Sequence, residues 1–241
     1  MNKVVLITGA SRGIGASTAR IFASHSYNVV INYLTSESEA KKLSEEIEKS
    51  YKVKTLLVKA DVSNEIDVKN MIEEIIKKLN RLDVVVNNAG IALDSCLEDK
   101  TKETFRKTLD TNLIGPFLVS KYAKKYMEQG SIVNISSTNG INSYYPFSMD
   151  YDSSKAALNI LTKNLAVEFA PNIRVNAIAP GWVNTEMNKL LDEEFINEEN
   201  KKITLKRFAE PIEIAKVAYF LSSEDASYIN GEIIVVDGGR I

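Results

Sequence analysis

The stretch Val4-Val5-Leu6-Ile7-Thr8-Gly9-Ala10-Ser11-Arg12-Gly13-Ile14-Gly15 is the most informative part of the chain. Its apolar start predicts a buried strand, and its glycines allow a tight turn into the helical pattern of residues 16–23. A strand, a glycine turn and a helix form a site that suits a phosphate, because backbone N–H groups and the positive end of the helix dipole converge there. The spacing differs from the dinucleotide fingerprint Gly-x-Gly-x-x-Gly, so an ordinary glycine-bearing turn is the alternative.

Strand and helix patterns alternate along the rest of the chain. Short apolar runs predict strands at 3–8, 28–33, 53–59, 82–86, 131–136, 173–178 and 232–236. Helical periodicity separates them at 37–49, 65–79, 102–127, 154–169 and 211–221. We therefore predict one doubly wound α/β domain over residues 1–241, with a parallel seven-stranded sheet and helices on both faces. Residues 183–208 lack a strand, and we expect them to form a substrate lid over the carboxyl ends of the strands.

The composition excludes several classes of protein. The 241 residues carry a net charge of −2 and are 44% hydrophobic, without the basic excess of a nucleic-acid binder or the acidic bias of a disordered chain. One cysteine, Cys96, and one histidine, His25, exclude a disulfide framework and a zinc site of Cys/His type, so we predict no metal. No apolar run reaches the roughly 18 residues of a membrane helix. We expect a cytoplasmic protein with a small-molecule partner and neither nucleic acid nor membrane.

The end of the second predicted strand bears on which dinucleotide the turn would hold. This strand ends Val30-Ile31-Asn32-Tyr33-Leu34-Thr35, without the carboxylate that binds the ribose 2′-hydroxyl of NAD. Arg12 lies in the glycine turn, where a guanidinium can pair with a 2′-phosphate. The sequence therefore favours NADPH over NADH. In the alternative interpretation, Arg12 is a solvated residue at the helix start and Glu37 serves an NAD ribose.

A group of polar residues suggests chemistry at the same edge of the sheet. Tyr151 and Lys155 are four residues apart at the start of a helical pattern, which places both on one face. Such a pair arises easily by chance, because the chain has ten tyrosines. Its neighbours add weight: Ser136-Ser137 and Asn87-Asn88-Ala89-Gly90 end two strands, and Asn112 interrupts an apolar helix.

With these motifs the chain resembles the short-chain dehydrogenase/reductase family from Val4 to Gly239. Within that family it is similar to the 3-oxoacyl-[acyl-carrier-protein] reductases, through Arg207-Phe208-Ala209-Glu210-Pro211 and the carboxyl end. The resemblance implies a Rossmann fold and an NADPH-dependent reduction of a ketone, 3-oxoacyl or another small carbonyl, to a secondary alcohol. The alternatives are an NAD-dependent alcohol, sugar or steroid dehydrogenase of the same family and a non-catalytic NADP-sensing protein. The shared motifs are residues 8–15, Asp61-Val62, Asn87 to Gly90, Asn112, Ser137, Tyr151 with Lys155, Pro180-Gly181, 226–231 and 236–239.

The resemblance implies a catalytic set of Asn112, Ser137, Tyr151 and Lys155. Tyr151 would protonate the alkoxide that hydride addition leaves, and the Lys155 cation would lower the phenol pKa from its ordinary value of about 10. Ser137 would orient the substrate oxygen, and Asn112 would hold a water that links Lys155 to solvent. The interval from Ser137 to Tyr151 is one residue longer than in the acyl reductases, so Thr138 is the alternative to Ser137.

The resemblance also implies cofactor contacts over much of the chain. Asp61 would receive the adenine amino group, with a turn-forming aspartate as the alternative. Thr185 would contact the pyrophosphate, or else only cap a helix of the lid. The implied contacts are Gly9, Ser11, Arg12, Gly13, Ile14, Gly15, Asn32, Tyr33, Asp61, Val62, Asn88, Ala89, Gly90, Asn112, Tyr151, Lys155, Pro180, Gly181, Val183 and Thr185.

Two further expectations concern protein partners. Segments 102–127 and 154–169 are apolar around more of their circumference than one sheet can cover, which predicts a homotetramer. The residues concerned are Phe105, Leu113, Phe117, Leu158, Leu161 and Leu165. Acyl carrier protein fits the resemblance but is acidic, whereas segments 127–130 and 170–173 carry no basic residue and the predicted lid is acidic. We therefore expect no strong preference for a carrier-bound substrate, unless Lys121, Lys124 and Lys125 face the carrier. The lid charges are Asp192, Glu193, Glu194, Glu198 and Glu199, partly offset by Lys189, Lys201 and Lys202.

Overall fold

The computed structural model describes residues 2–188 and 191–240, and its strands form one parallel sheet. The strands occur in the order β3-β2-β1-β4-β5-β6-β7. This order reverses between β1 and β4, which is where a doubly wound sheet opens a crevice at the carboxyl ends of its strands. The predicted α/β fold is confirmed. The strands are β1 (Val4–Ile7), β2 (Asn28–Tyr33), β3 (Thr55–Lys59), β4 (Val84–Asn87), β5 (Gly130–Ile135), β6 (Ile173–Pro180) and β7 (Ile233–Val236).

Helices cover both faces of this sheet, because alternate strand residues point to opposite sides. Ile7 and Ile31 belong to one hydrophobic core with α1, α2 and α8, whereas Leu6 and Val30 belong to the other with α3, α5 and α6. In the described part of the chain, no helix is long and apolar enough to cross a membrane. The helices are α1 (Gly13–Ser24), α2 (Glu37–Tyr51), α3 (Glu65–Leu79), α4 (Lys102–Leu109), α5 (Gly115–Ala123), α6 (Met149–Glu168), α7 (Glu193–Lys202) and α8 (Pro211–Ser222).

The prediction of one helix over 102–127 is wrong. A π-helical turn, Asp110–Ile114, separates α4 from α5, and α5 ends at Ala123. Pro116 has no N–H to donate to the carbonyl of Asn112 four residues earlier, so the α-helical hydrogen-bond ladder cannot continue through this point. The wider turn brings Asn112 into the protein, where its side chain is completely buried.

Helix α6 begins at Met149, earlier than the predicted start at 154. Its first turn contains Asp150 and Asp152, acidic residues that complement the helix dipole. Tyr151 therefore lies inside the helix. On the same helix Leu158 and Leu165 are buried within the protein, on the side that faces its own core. The exposed apolar side chains there are Ile160 (60%) and Val167 (81%).

The segment predicted as a lid contains a short 3₁₀ turn, Glu186–Asn188, and helix α7. Lys189 and Leu190, which fall within that prediction, lie outside the described residues. The Trp182 ring stacks on Phe208 with centroids 5.5 Å apart, and Phe195 of α7 packs edge-on against the same indole. The segment is thus anchored beside the carboxyl end of β6.

Candidate active site

The glycine turn after β1 has a backbone that other residues would strain. Gly9 and Gly13 have φ of 60° and 55°, in the left-handed region that favours glycine. A Cβ on Gly15 would lie 2.5 Å from the carbonyl oxygen of Gly9 and 2.6 Å from Nδ2 of Asn88. Helix α1 starts at Gly13 with no acidic residue in its first turn. Its N-terminus therefore offers backbone N–H groups and a positive dipole to an anion.

Asn88, at the end of β4, braces this turn. Its Nδ2 donates to the carbonyl oxygens of Thr8 and Gly9, each at 3.0 Å. In return, Thr8 Oγ1 accepts from the backbone N–H groups of Asn88 and Ala89, also at 3.0 Å. The Asn88 side chain thus serves the protein's own backbone, and a cofactor contact at Asn88 and Ala89 stays a prediction for the main chain.

Asn32 plays a comparable part at the end of β2. Its Oδ1 accepts from the N–H of Gly9 at 3.2 Å, and its Nδ2 donates to the carbonyls of Val58 and Ala60 at 3.3 and 3.0 Å. The side chain is buried and joins the glycine turn to β2 and β3. We therefore assign the Asn32 amide a structural role. Its neighbour Tyr33 is also buried.

Asp61 and Val62 follow β3. Asp61 Oδ1 accepts from the N–H and the hydroxyl of Ser63 at 2.9 and 2.7 Å, which is the turn-forming role given above as the alternative. Val62 is buried against the start of α5, where a Cβ on Gly115 would lie 3.0 Å from Val62 Cγ2. The adenine contact of Asp61 stays a prediction.

The charges near the end of β2 bear on the cofactor phosphate. Arg12 is exposed at the N-cap of α1, between the half-buried Ser11 and the first residues of the helix, where Ile14 packs against the core. Glu37, the nearest acid along the chain, lies 2.7 Å from Lys41 Nζ. The hydrogen bond from Lys41 lowers the pKa of Glu37. The carboxylate that could serve an NAD ribose is therefore already paired.

The Ser137 hydroxyl lies beside the Tyr151 phenol, where it acts to lower the pKa of Tyr151. Ser137 is the second residue after the end of β5. Its Oγ accepts a hydrogen bond from the N–H of Asn139 at 3.2 Å. Thr138 is buried beside it and its carbonyl oxygen accepts backbone hydrogen bonds, including one from Ile141 at 2.9 Å. The structure therefore brings Ser137, the residue predicted from the strand end, to Tyr151.

Lys155 lies one helical turn after Tyr151 and is buried. Its Nζ donates to the carbonyl oxygen of Ile135 at 2.7 Å and is 5.4 Å from the centroid of the Tyr151 ring. Burial lowers the pKa of Lys155 to about 8. Burial also raises the pKa of Tyr151 to about 12, against the opposing effect of the Ser137 hydroxyl. The expectation that Lys155 lowers the pKa of Tyr151 stays a prediction.

Asn112 connects the π-helical turn to the catalytic helix. Its Oδ1 accepts from the N–H of Ile91 at 2.9 Å, and its Nδ2 donates to the Ile91 carbonyl at 2.9 Å and to Ser154 Oγ at 3.1 Å. A Cβ on Gly90 would lie 3.3 Å from Asn112 Oδ1 and 3.7 Å from Lys155 Nζ. The amide is thus used within the protein, so a water bound by Asn112 stays a prediction for its main-chain carbonyl.

The segment after β6 closes the other side of the crevice. The N–H of Gly181 donates to the carbonyl of Val236 at 3.0 Å, which ties the Pro180-Gly181 pair to β7. Val183 is buried and pairs with Ala209. Thr185 lies over the glycine turn, since a Cβ on Gly13 would be 3.4 Å from Thr185 Cγ2. The start of the predicted lid and the phosphate turn therefore face each other.

Sequence reasoning missed the buried charged residues around the site. Lys100 and Asp150 form a buried ion pair beside Tyr151, and Thr108 bonds to the same carboxylate. Glu199 of α7 is buried and paired with Arg240. Only the position of Asp150 next to Tyr151 could have drawn attention to any of them.

The crevice has a glycine turn that suits a pyrophosphate on one side and Ser137, Tyr151 and Lys155 on the other. This combination is typical of a dinucleotide-dependent oxidoreductase. A family model described as enoyl-(acyl carrier protein) reductase matches residues 9–240. The chain belongs to the short-chain dehydrogenase/reductase family. It is an oxidoreductase that acts on CH–OH and ketone groups with a nicotinamide cofactor.

Its relatives include 3-oxoacyl-[acyl-carrier-protein] reductases. That of Staphylococcus epidermidis is 39% identical, with 99% of each chain covered. That of Aquifex aeolicus is 41% identical over 98% of this chain and 96% of the relative. A Burkholderia cenocepacia short-chain dehydrogenase solved in complex with NADP superposes with a TM-score of 0.94 at 29% identity, covering 98% of this chain and 97% of the other.

Proposed function

We propose that this protein reduces a small ketone to a secondary alcohol with NADPH, using Tyr151 as the proton donor. The observation that carries the proposal is the placement of Ser137 beside Tyr151, with Lys155 one turn further along the same helix. A tyrosine phenol, with an ordinary pKa of about 10, is protonated at neutral pH and can give its proton to the substrate oxygen as a general acid. The substrate is a 3-oxoacyl compound or another small carbonyl.

Each catalytic residue has a distinct task in this proposal. The glycine turn would hold the pyrophosphate of NADPH, and the reduced nicotinamide of that cofactor would supply the hydride. Ser137 donates a hydrogen bond to the substrate oxygen and holds it beside the Tyr151 phenol. Tyr151 gives its proton to the oxygen as negative charge develops there. Lys155 binds the ribose hydroxyls beside the nicotinamide through its ammonium, and Asn112 fixes the segment at Ile91 against the catalytic helix.

The preference for NADPH rests on the charges near the end of β2. Arg12 is exposed in the turn, and the carboxylate of Glu37 is held by Lys41. A guanidinium there can bind a 2′-phosphate bidentately, whereas no free carboxylate is offered to a 2′-hydroxyl. The Burkholderia cenocepacia relative, solved in complex with NADP, supports the same preference.

The relatives' names suggest an acyl carrier substrate, but the charges of this chain favour a small one. The N-terminal turn of α7 bears Glu193 and Glu194 after the acidic N-cap Asp192. Lys121, which could have offered a positive surface, is paired with Glu65 at 2.8 Å. The carboxylates at the start of α7 would therefore repel an acidic carrier. We propose reduction of small 3-oxo esters, thioesters or ketones without a strong gain on carrier protein.

We further propose that residues 183–208 act as the substrate lid of a single domain, and that the protein is a cytoplasmic homotetramer. The position of Thr185 over Gly13 supports the lid. The exposed apolar side chains of Phe117, Ile160 and Val167 support a subunit interface on α5 and α6. The cytoplasmic location is an expectation from the single cysteine and the class of enzyme.

The proposal is tested by following NADPH oxidation with a panel of ketones, acetoacetyl esters and acetoacetyl thioesters. We expect turnover with at least one small 3-oxo compound. The same acyl group on carrier protein should be reduced with similar efficiency at low salt, where electrostatic steering is strongest. Turnover with none of the panel, despite tight NADPH binding, would favour a non-catalytic sensor. A carrier advantage of orders of magnitude that vanishes with salt would contradict the proposed substrate.

A further inference from the structure

Lys100 is a buried cation outside the family's catalytic set. Its side chain is only 3% exposed. Its Nζ donates to Asp150 Oδ1 at 2.8 Å, to the carbonyl oxygen of Leu93 at 2.7 Å and to that of Phe147 at 3.0 Å. An ammonium has three N–H donors. Every donor of this buried cation therefore has a partner.

Asp150, the counter-ion, is completely buried as well. Its second oxygen accepts from Thr108 Oγ1 at 2.7 Å. Burial raises the pKa of Asp150, but the hydrogen bonds from Lys100 and Thr108 outweigh it, so the pKa lies below its ordinary value and the carboxylate stays ionised. Burying two charges is costly, and apolar replacements of such pairs are often as stable or more so. Stability alone thus gives no reason for this pair.

The pair joins four parts of the chain next to Tyr151. Asp150 directly precedes Tyr151 in the first turn of α6, and Thr108 lies in α4 just before the π-helical turn. Leu93 belongs to the segment after β4, and Phe147 to the segment before α6. Lys100 is the one side chain seen to bond to three of these parts at once among the described residues.

The two connected segments lie close to the catalytic phenol. The Phe147 carbonyl also accepts from the N–H of Ser95 at 3.1 Å, and Ser148 Oγ donates to Asp94 Oδ1 at 2.5 Å. The negative charge of Asp94 contributes to the raised pKa of Tyr151, which places this segment within electrostatic range of the phenol. Residues 91–95 and 145–148 therefore form one connected wall beside Tyr151, and Lys100 fastens that wall to α6.

We propose that Lys100, Asp150 and Thr108 are positioning residues that fix the first turn of α6 against the segments at Leu93 and Phe147, and so set the place of the Tyr151 phenol relative to the substrate. This inference rests on the proposed role of Tyr151. None of the three touches the reacting atoms. They act through the position of Tyr151 and of the substrate-facing wall, and a misplacement of about 1 Å at such a site can cost about a hundredfold in rate.

The first test is the double variant Lys100→Met with Asp150→Asn, which removes both charges together and leaves no unpaired buried ion. We expect a Tm close to wild type and an unchanged Kd for NADPH, because the glycine turn is untouched. We also expect kcat for ketone reduction to fall about ten- to hundredfold and the ketone KM to rise. The control, Arg81→Met with Asp83→Asn, removes another ion pair at the amino ends of the strands, away from the site, and should keep wild-type kcat and KM.

Thr108 provides a second test if the double variant does not fold. Thr108→Val removes only the hydroxyl that bonds to Asp150, whereas Thr108→Ser keeps it. We expect kcat to fall several-fold in the valine variant and to stay at the wild-type value in the serine variant. The inference is overturned if the folded double variant, or Thr108→Val, keeps wild-type kcat and KM. If instead wild-type protein reduces no ketone at all, the proposed function fails.

Discussion

Lys155 lowers the stability of the fold, because a group that can carry a positive charge is buried there. Its pKa in the folded protein is about 8, below the ordinary value of 10.5. Between these values the unfolded chain binds more protons than the folded one, so stability rises with pH in that window, and below about pH 8 the full cost is present. Lys155 is thus needed for the proposed function, although its burial destabilises the folded protein.

Lys155→Met should therefore make the protein more stable at pH 7 while abolishing turnover. We expect the free energy of unfolding to rise by about 1 to 3 kcal/mol, since one pKa unit corresponds to about 1.4 kcal/mol and the bond to Ile135 is lost. The gain should shrink as pH rises from 8 towards 10.5. Thermal melts across this range check it, with the exposed Lys163→Met on the same helix as control. A variant less stable than wild type at pH 7 would refute this prediction.

Arg12 is expected to decide the cofactor. Arg12→Ala should lower kcat/KM for NADPH about tenfold or more and leave that for NADH nearly unchanged, because a hydrogen bond to a charged group is worth about 1.5 to 3 kcal/mol. Steady-state kinetics with both cofactors provide the measurement. Arg20→Ala is the matched control, since Arg20 lies on the same helix and pairs with Glu46 at 2.7 Å. Equal efficiency of the wild type with NADPH and NADH would rule out the assignment.

The strands and most helices could be predicted from the sequence because their hydrophobic patterns are local. The π-helical turn between α4 and α5 could not be predicted, because segment 102–127 keeps a helical pattern of apolar residues across it. Its cause is one missing N–H at Pro116, together with a buried Asn112 whose partner Ile91 is 21 residues away in the chain. The early start of α6 was missed for a related reason, since its first turn is polar.

Site residues with a local spacing could also be predicted from the sequence, whereas those paired with distant residues could not. Gly9 to Gly15 and Tyr151 with Lys155 have short, recognisable spacings. The bond between Lys100 and Asp150 spans 50 residues, and that between Glu199 and Arg240 spans 41. A buried ion pair of this kind looks in the sequence like two ordinary surface charges, so only the fold reveals it.

Helix α7 is held by one buried carboxylate. Glu199 accepts hydrogen bonds from Trp182 Nε1 at 2.7 Å, from Lys202 at 2.7 Å and from Arg240 at 2.8 Å, and Arg240 also donates to Ser143 Oγ at 2.9 Å. This cluster ties α7 to the carboxyl end of β6, to the end of the chain and to the segment before the catalytic helix. We infer that it sets the resting position of the predicted lid.

Glu199→Gln should loosen α7, because a neutral amide binds the guanidinium of Arg240 less strongly than a carboxylate does. We expect the ketone KM to rise several-fold with little change in the Kd for NADPH. Glu198→Gln is the matched control: it is the neighbouring residue, but exposed and paired only on its own helix with Lys201. Indistinguishable KM values for the two variants would show that the cluster does not govern substrate binding.

Among the exposed apolar side chains of the described residues, two groups lie on elements that could contact other subunits. Phe117, Ile160 and Val167 lie on α5 and α6, and Tyr228 and Val235 lie near β7. Two separate apolar surfaces are what a tetramer of dihedral symmetry needs. Light scattering at micromolar concentration should give four times the 26.8 kDa of the chain.

Ile160→Glu should reduce this assembly to dimers by placing a charge in the α5–α6 interface. Ile66→Glu introduces the same charge at an exposed apolar position on α3, outside both surfaces, and should leave the tetramer intact. A wild-type protein that is monomeric at micromolar concentration would show that these side chains are ordinary surface residues.

The proposed function depends on Tyr151 as the proton donor, and the variant Tyr151→Phe tests this role. This substitution removes only the phenolic hydroxyl. We predict that kcat for ketone reduction falls at least about a hundredfold, the usual contribution of general acid catalysis, while the Kd for NADPH stays close to wild type. Tyr51→Phe, at the exposed end of α2, should retain full activity. Wild-type turnover in Tyr151→Phe would show that Tyr151 is not the proton donor.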